Sequence, residues 1–232
     1  MSRQGKLAAL ASTGVTKTEL DNIDGGTSRG TTAIADGDGV LINDAGTMRM
    51  TSVETMATYM GTKIGGGMEF LASSGAISNA ANVSFTQFDA SKYDHYQFWV
   101  QNVVPATDNT SLQALASTDG GSSYDSTNGN YHQTLTTDRT GFDVSLGNGY
   151  NMGSDTNEFG VCTIFILFNP HLTTYTYATS NGVMMDTSGQ IREVTDAGVV
   201  HLVAADVDAI KFQMLSGNIE SGEITMFGIV NS

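Results

Sequence analysis

A single cysteine and two prolines stand in 232 residues, and each scarcity removes a class of protein. With Cys162 alone, no disulfide framework can form within the chain. The histidines and the cysteine show no zinc-ligand spacing either. Cys162 lies inside the run GVCTIFILF (160–168), where it reads as a small buried hydrophobe. That run, roughly nine residues, is the longest apolar one, and a membrane-crossing helix needs about 20. The first twelve residues, MSRQGKLAALAS, carry basic side chains with no hydrophobic stretch after them. They are expected to be neither a secretory signal nor a helix stable by itself.

Charge is scarce as well, at 15% of residues, and it is lopsided, with a net −14. Residues 1–67 hold six basic and seven acidic side chains, whereas residues 68–232 hold four basic and seventeen acidic. An acidic body of that kind repels phosphate, which argues against nucleic acid as a partner. It also resists association wherever its charge is exposed. The near-neutral first segment is the part expected to dock on other protein.

Glycine is plentiful, 27 residues, and with Ser, Thr and Asn it separates short apolar runs, the texture of a turn-rich all-β protein. Candidate strands fall at 68–73, 83–88, 94–104, 111–117, 131–136, 160–168, 173–179, 182–186, 190–195, 208–215 and 222–230. Residues 94–104 and 160–168 are the most apolar and are expected at the centre of a sheet. Ile210, Phe212 and Met214 alternate with polar residues, as do Ile224 and Met226. The glycines between these two runs predict a hairpin at 208–230, with both Phe212 and Phe227 in the core. The count of strands predicts a mainly β fold, a C-terminal jelly roll or β-sandwich over 68–232. A Gly-rich hinge, 61–67, precedes it.

Residues 1–60 read as a small adaptor of short helices and strands. Thr16 with Glu19, and Thr51 with Glu54, have the spacing of helix-capping boxes. VLIND (40–44) and TMRM (47–50) read as a strand pair around Asp44-Ala45-Gly46. Apolar residues are too few here to close a core, so this segment must share one with copies of itself or with another protein.

Motifs for chemistry are thin. Residues 117–124, STDGGSSY, are close to the Asp-box turn, with Tyr124 in place of its tryptophan, and Asp119 is expected to bind backbone amides of a hairpin. Asp36 and Asp38 alternate with glycine, yet the positions of an EF-hand's sixth and twelfth residues hold Leu41 and Thr47, so that pattern fails. At most a loose cation site fits there. His95, His132, His171 and His201 share no metal or catalytic spacing, and His95 reads as a packing residue. Tyr93, Tyr96, Tyr131, Tyr150, Tyr175 and Tyr177 are candidates either for a sugar-stacking patch or for ordinary strand packing. No paired carboxylates with a glycosidase signature stand out. We therefore expect no catalytic residue, no cofactor and no resident metal.

Two stretches resemble segments of tailed-bacteriophage virion appendages. Val15 to about Gly61 is similar to a pattern V-T-x-T-E-L-x-x-I-D-G followed by D-G-D-G-x-L-x-N-D-x-G-T-M-R in tail fibres. The closing SGNIESGEITMFG resembles the final strands of jelly-roll domains on fibres and capsid spikes, with Met226 and Phe227 in place of Leu-Tyr. The resemblance implies a non-enzymatic homotrimer on the virion, at the tail or the capsid surface. Residues 1–60 would attach to other virion proteins, and residues 68–232 would project toward a further fibre segment or a host-surface glycan, with no membrane insertion. A capsid decoration or head fibre is the alternative within that class, and a tailspike-type depolymerase is the enzymatic rival.

Overall fold

The computed structural model describes residues 33–63, 67–133, 136–145 and 150–230. The predicted capping box at Thr16 and Glu19 lies outside them. The chain divides into two compact units, Met1–Lys63 and Ile64–Ser232.

In the first unit, β1 (Gly39–Asp44) pairs antiparallel with β2 (Thr47–Ser52) in unbroken register. The turn between them places Ala45 and Gly46 at φ 50 and 92, the left-handed pair that matches strand twist in a two-residue hairpin. Gly46 N–H donates to Asn43 Oδ1 at 2.7 Å and closes it. Helix α1 (Val53–Lys63) follows directly. Its cap is Ser52, one residue later than the sequence suggested. Ser52 Oγ accepts from Thr55 N–H at 3.1 Å. Thr51 belongs to β2 and is held in the ladder opposite Val40. Among residues 33–61 none is buried, and Leu41, Met48, Met50 and Tyr59 are all exposed.

The second unit is the expected mainly β body, built as a sandwich of two antiparallel sheets. Its strands are β3 (Met68–Ser73), β4 (Ile77–Ala80), β5 (Val83–Phe85), β6 (Tyr93–Pro105), β7 (Leu112–Ser117), β8 (Tyr131–Gln133), β9 (Thr136–Arg139) and β10 (Phe142–Asp143). The remainder are β11 (Val161–Phe168), β12 (Thr176–Met185), β13 (Ile191–His201), β14 (Ala209–Met214) and β15 (Ile219–Val230). The smaller sheet has the order β10-β7-β14-β5. The larger runs β3-β15-β6-β11-β12-β13-β8-β9, with β4 also on β15. As expected, β6 and β11 are central. The runs 173–179 and 182–186 merge into one strand, because a register shift between Ser180 and Gly182 absorbs the break instead of ending it.

The predicted C-terminal hairpin does not form. β14 pairs with β7 and β5, while β15 pairs with β3, β4 and β6 in the opposite sheet. The segment 215–218 therefore carries the chain across the sandwich instead of folding it back. Leu215 N–H and Ala106 N–H donate to Ser111 and Asn218 carbonyls, bonds that anchor each end of the crossing to a different strand.

Aromatic rings fill the space between the sheets. Phe212 of β14 meets Phe98 of β6 at 5.2 Å and Phe165 of β11 at 5.9 Å. Phe85 of β5 lies 5.5 Å from Phe98, and Phe142 of β10 lies 5.8 Å from Phe165. Each ring from one sheet thus sits against rings of the other in offset or edge-on geometry, which supplies buried area and quadrupole attraction together.

Candidate interaction face

In a strand, successive side chains point to opposite faces. In β11, Val161, Thr163, Phe165 and Leu167 are buried in the core. Cys162, Ile164, Ile166 and Phe168 must then point outward. Cys162 is half-buried on that side, not in the core as its apolar setting suggested, and its Sγ accepts from Asn102 N–H at 3.3 Å. The unbroken apolar run hid this, because periodicity cannot separate two apolar faces from one thick core.

Ladder register carries the outward face across five strands. Ile164 lies opposite Trp99 of β6 and Asn181 of β12, and Phe70 of β3 lies opposite Phe227 of β15. Phe227 is therefore on the outside, half-buried, against Phe70 at 6.2 Å and Trp99 at 4.9 Å. The core positions of β15 are held by Ile224 and Met226, so ordinary strand alternation turns Phe227 outward; the register shift beside it leaves the extra residue, Leu71, on β3. Phe70 is 63% exposed, Ile164 40% and Trp99 37%. Among the described residues, the central rows of this face, through Trp99, Ile164, Gln97, Ile166 and Phe227, carry no charge; Glu223 of β15 stands opposite Gln101 and Glu193 of β13 opposite Val183, one row away. A groove of about 350 Å³ crosses it, lined by Trp99, Gln101, Cys162, Ile164, Asn181 and Gly182. Gly182 on its lining must be glycine because β11 passes close beside it. A Cβ there would fall 2.1 Å from the Cys162 carbonyl oxygen and 2.5 Å from Thr163 Cα.

A second feature is polar. His201 of β13 is fully buried, and its Nε2 lies 2.9 Å from Asp125 Oδ2. The imidazole stacks on Tyr131 at 4.6 Å. The Tyr131 hydroxyl donates to the Asp125 carbonyl at 2.9 Å and accepts from Ala116 N–H at 3.0 Å. Burial works to raise the Asp125 carboxyl, but hydrogen bonds from His201, Asn130 and Thr127 together outweigh it and bring it down to about 2. Burial likewise pushes the Tyr131 phenol well up. A cavity of about 280 Å³ opens beside the pair, lined by Ser117, Ser123, Tyr124, Asp125, Asn130 and His201 among others. Among the described residues His201 Nδ1 meets no hydrogen-bond partner. Ser117 Oγ donates to Asp119 Oδ1 at 2.8 Å. The arrangement pins the loop 118–130 to the sheet. Nothing in the sequence marks it, since its two ionisable partners are 76 residues apart.

The remaining candidates separate. Asp119 accepts from Ser123 N–H at 2.8 Å and Ser123 Oγ at 2.6 Å, an intra-turn role. Its turn leads out of β7 to β8 in the other sheet, so it is not a hairpin. Asp38 Oδ2 accepts from Ala35 N–H at 2.9 Å, and the Asp36 and Asp38 carbonyls accept from Glu54 and Val53; these residues build the turn before β1. His95 packs edge-on to Phe168 at 5.5 Å, His132 is half-buried on β8, and His171 lies 3.9 Å from Asp94. Tyr93, Tyr96 and Tyr131 are buried, whereas Tyr150, Tyr175 and Tyr177 are exposed. The six tyrosines therefore do not form one surface. Among the described residues no group of three or more His, Cys, Asp or Glu side chains converges to hold a metal ion.

No protein-family model and no curated protein matches this chain. A solved structure described as HCR/D-Sa-GBL1/C is 14% identical with a TM-score of 0.21, over 83% of this chain and 47% of that one. The chain thus spans under half of that protein, and the likeness is too slight to carry an argument.

Proposed function

We propose that this chain is a non-enzymatic structural protein of a tailed-bacteriophage particle. It acts as a homotrimeric tail fibre, attached through residues 1–60 and projecting the acidic sandwich of residues 68–232 toward the host surface or a further fibre segment. The observation that carries the reading is the broad, almost uncharged apolar face on a domain whose surface is otherwise acidic. Soluble proteins that stay alone rarely leave such a patch open, and a structural assembly protein needs one. The first unit supports it too: among its described residues none of 33–61 is buried, and a two-stranded sheet with one short helix is stabilised by packing against further protein. The motifs at Val15–Gly61 and at the closing strands supply the particle.

Gold-labelled antibody against the chain should decorate purified phage particles at the tail, and the purified chain should sediment as three copies of 24.4 kDa. Labelling at the capsid would move the protein to the head-fibre class. Reducing-sugar release from host polysaccharide that vanishes in a folded single-carboxylate variant, Asp125→Asn for one, would make it an enzyme and refute the reading.

A further inference from the structure

We propose that copies of this chain join heterologously across the outer face of the nine-stranded sheet. The Phe70 ring of one copy enters the groove between Trp99, Ile164 and Gly182 of the next. This rests on the homotrimer reading above and adds the surface and the partner to it.

Three observations converge on a second copy as the occupant. β11 reads as a strand buried on both faces, a near-continuous apolar run, yet the described residues cover only one of them. What covers the other lies outside the described fold. Secondly, the chain carries a net −14, so two copies repel through most of their surfaces. They can approach closely only where charge is missing, and this face is that place. A cationic partner would be drawn to the acidic surfaces instead. Thirdly, the face is divided into unlike halves. On the β3 side stands an exposed ring at Phe70, carried on a strand at the margin of the sheet and backed by Phe227. On the β11–β12 side lies a shallow recess lined by Ile164, Asn181 and Gly182.

A projecting ring and a recess on the same molecule are the two parts of a heterologous contact. Such contacts close into rings when the rotation permits, whereas a self-complementary patch makes two-fold dimers. An aromatic anchor seated in a water-excluding recess is also the arrangement in which binding energy concentrates. Three copies then turn this face inward and leave the acidic surfaces outward.

The test uses the full-length chain with p-benzoylphenylalanine in place of Phe70, and sedimentation of wild type beside Phe70→Glu and Ile164→Glu. Both positions are exposed, so circular dichroism should show each variant folded. Irradiation should give adducts between copies that map to residues 99–101, 162–164 or 181–182. Both charge variants should lose the trimer at micromolar concentration. Adducts from Phe70 to the β3–β15 region of another copy would mean a two-fold dimer and overturn the proposal. So would adducts to residues 1–63 of the same copy, which would make the N-terminal unit the occupant. A wild-type trimer that survives both charge changes sinks the seam while leaving the homotrimer standing, and a wild-type monomer sinks both.

Discussion

Truncating Phe212 to alanine tests whether the two sheets are held by the ring cluster between them. The side chain is wholly buried, and its ring meets Phe98, Phe165 and Phe85 at 5.2, 5.9 and 6.1 Å. Removing a buried phenyl ring costs about 3–5 kcal/mol in transfer and cavity terms. Three aromatic partners, each worth about 0.5–1.5 kcal/mol beyond area in favourable cases, place this site in the upper half of that range. At roughly 4 kcal/mol, and about 2–4 °C per kcal/mol for a domain of this size, the melting temperature should drop by about 8–16 °C. Phe227→Ala is the control, because it stands in the same C-terminal segment with the same chemistry on the opposite face. It loses contacts with Phe70 and Trp99 only, roughly 1 kcal/mol or about 2–4 °C. Calorimetry at one fixed protein concentration separates the two, since association shifts apparent stability by mass action. Equal falls for both variants, or a fall under about 4 °C for Phe212→Ala, would refute the division into a buried inner face and an open outer one.

Two further predictions concern single residues. Asp125 sits at about 2 in the folded chain against an ordinary 3.8, so its stabilising contribution is complete above that ordinary value and is lost as pH falls toward 2. The gap in melting temperature between wild type and Asp125→Asn should therefore close as pH drops from about 4 to 2. A gap unchanged over that window would contradict the bonding described. Gly222, at φ +121, would place a Cβ 2.6 Å from Asn102 O and 2.7 Å from Val103 Cα. Gly222→Ala should cost more than about 1 kcal/mol in urea unfolding. Gly75→Ala, at φ +61 with open space around it, should cost less, and the reverse order would be a failure of the argument.

Much of the fold follows from local pattern. The apolar density of 94–104 and 160–168 is enough to predict strands and to place β6 and β11 at a sheet centre. The hairpin turn at Ala45-Gly46 is local too, because left-handed backbone angles are a property of the turn residues. Which strand pairs with which is not local. The glycines of 215–222 permit a reversal, yet β14 and β15 part into separate sheets, because ladder partners such as Ser84, Leu115 and Trp99 lie far away in the chain. The same holds for the candidate site. Sequence shows that β11 is apolar at every position except Thr163 but cannot say that only one of its faces meets the core. His201 and Asp125 come together only once β13 lies beside β8, which makes that buried pair wholly a product of the tertiary structure.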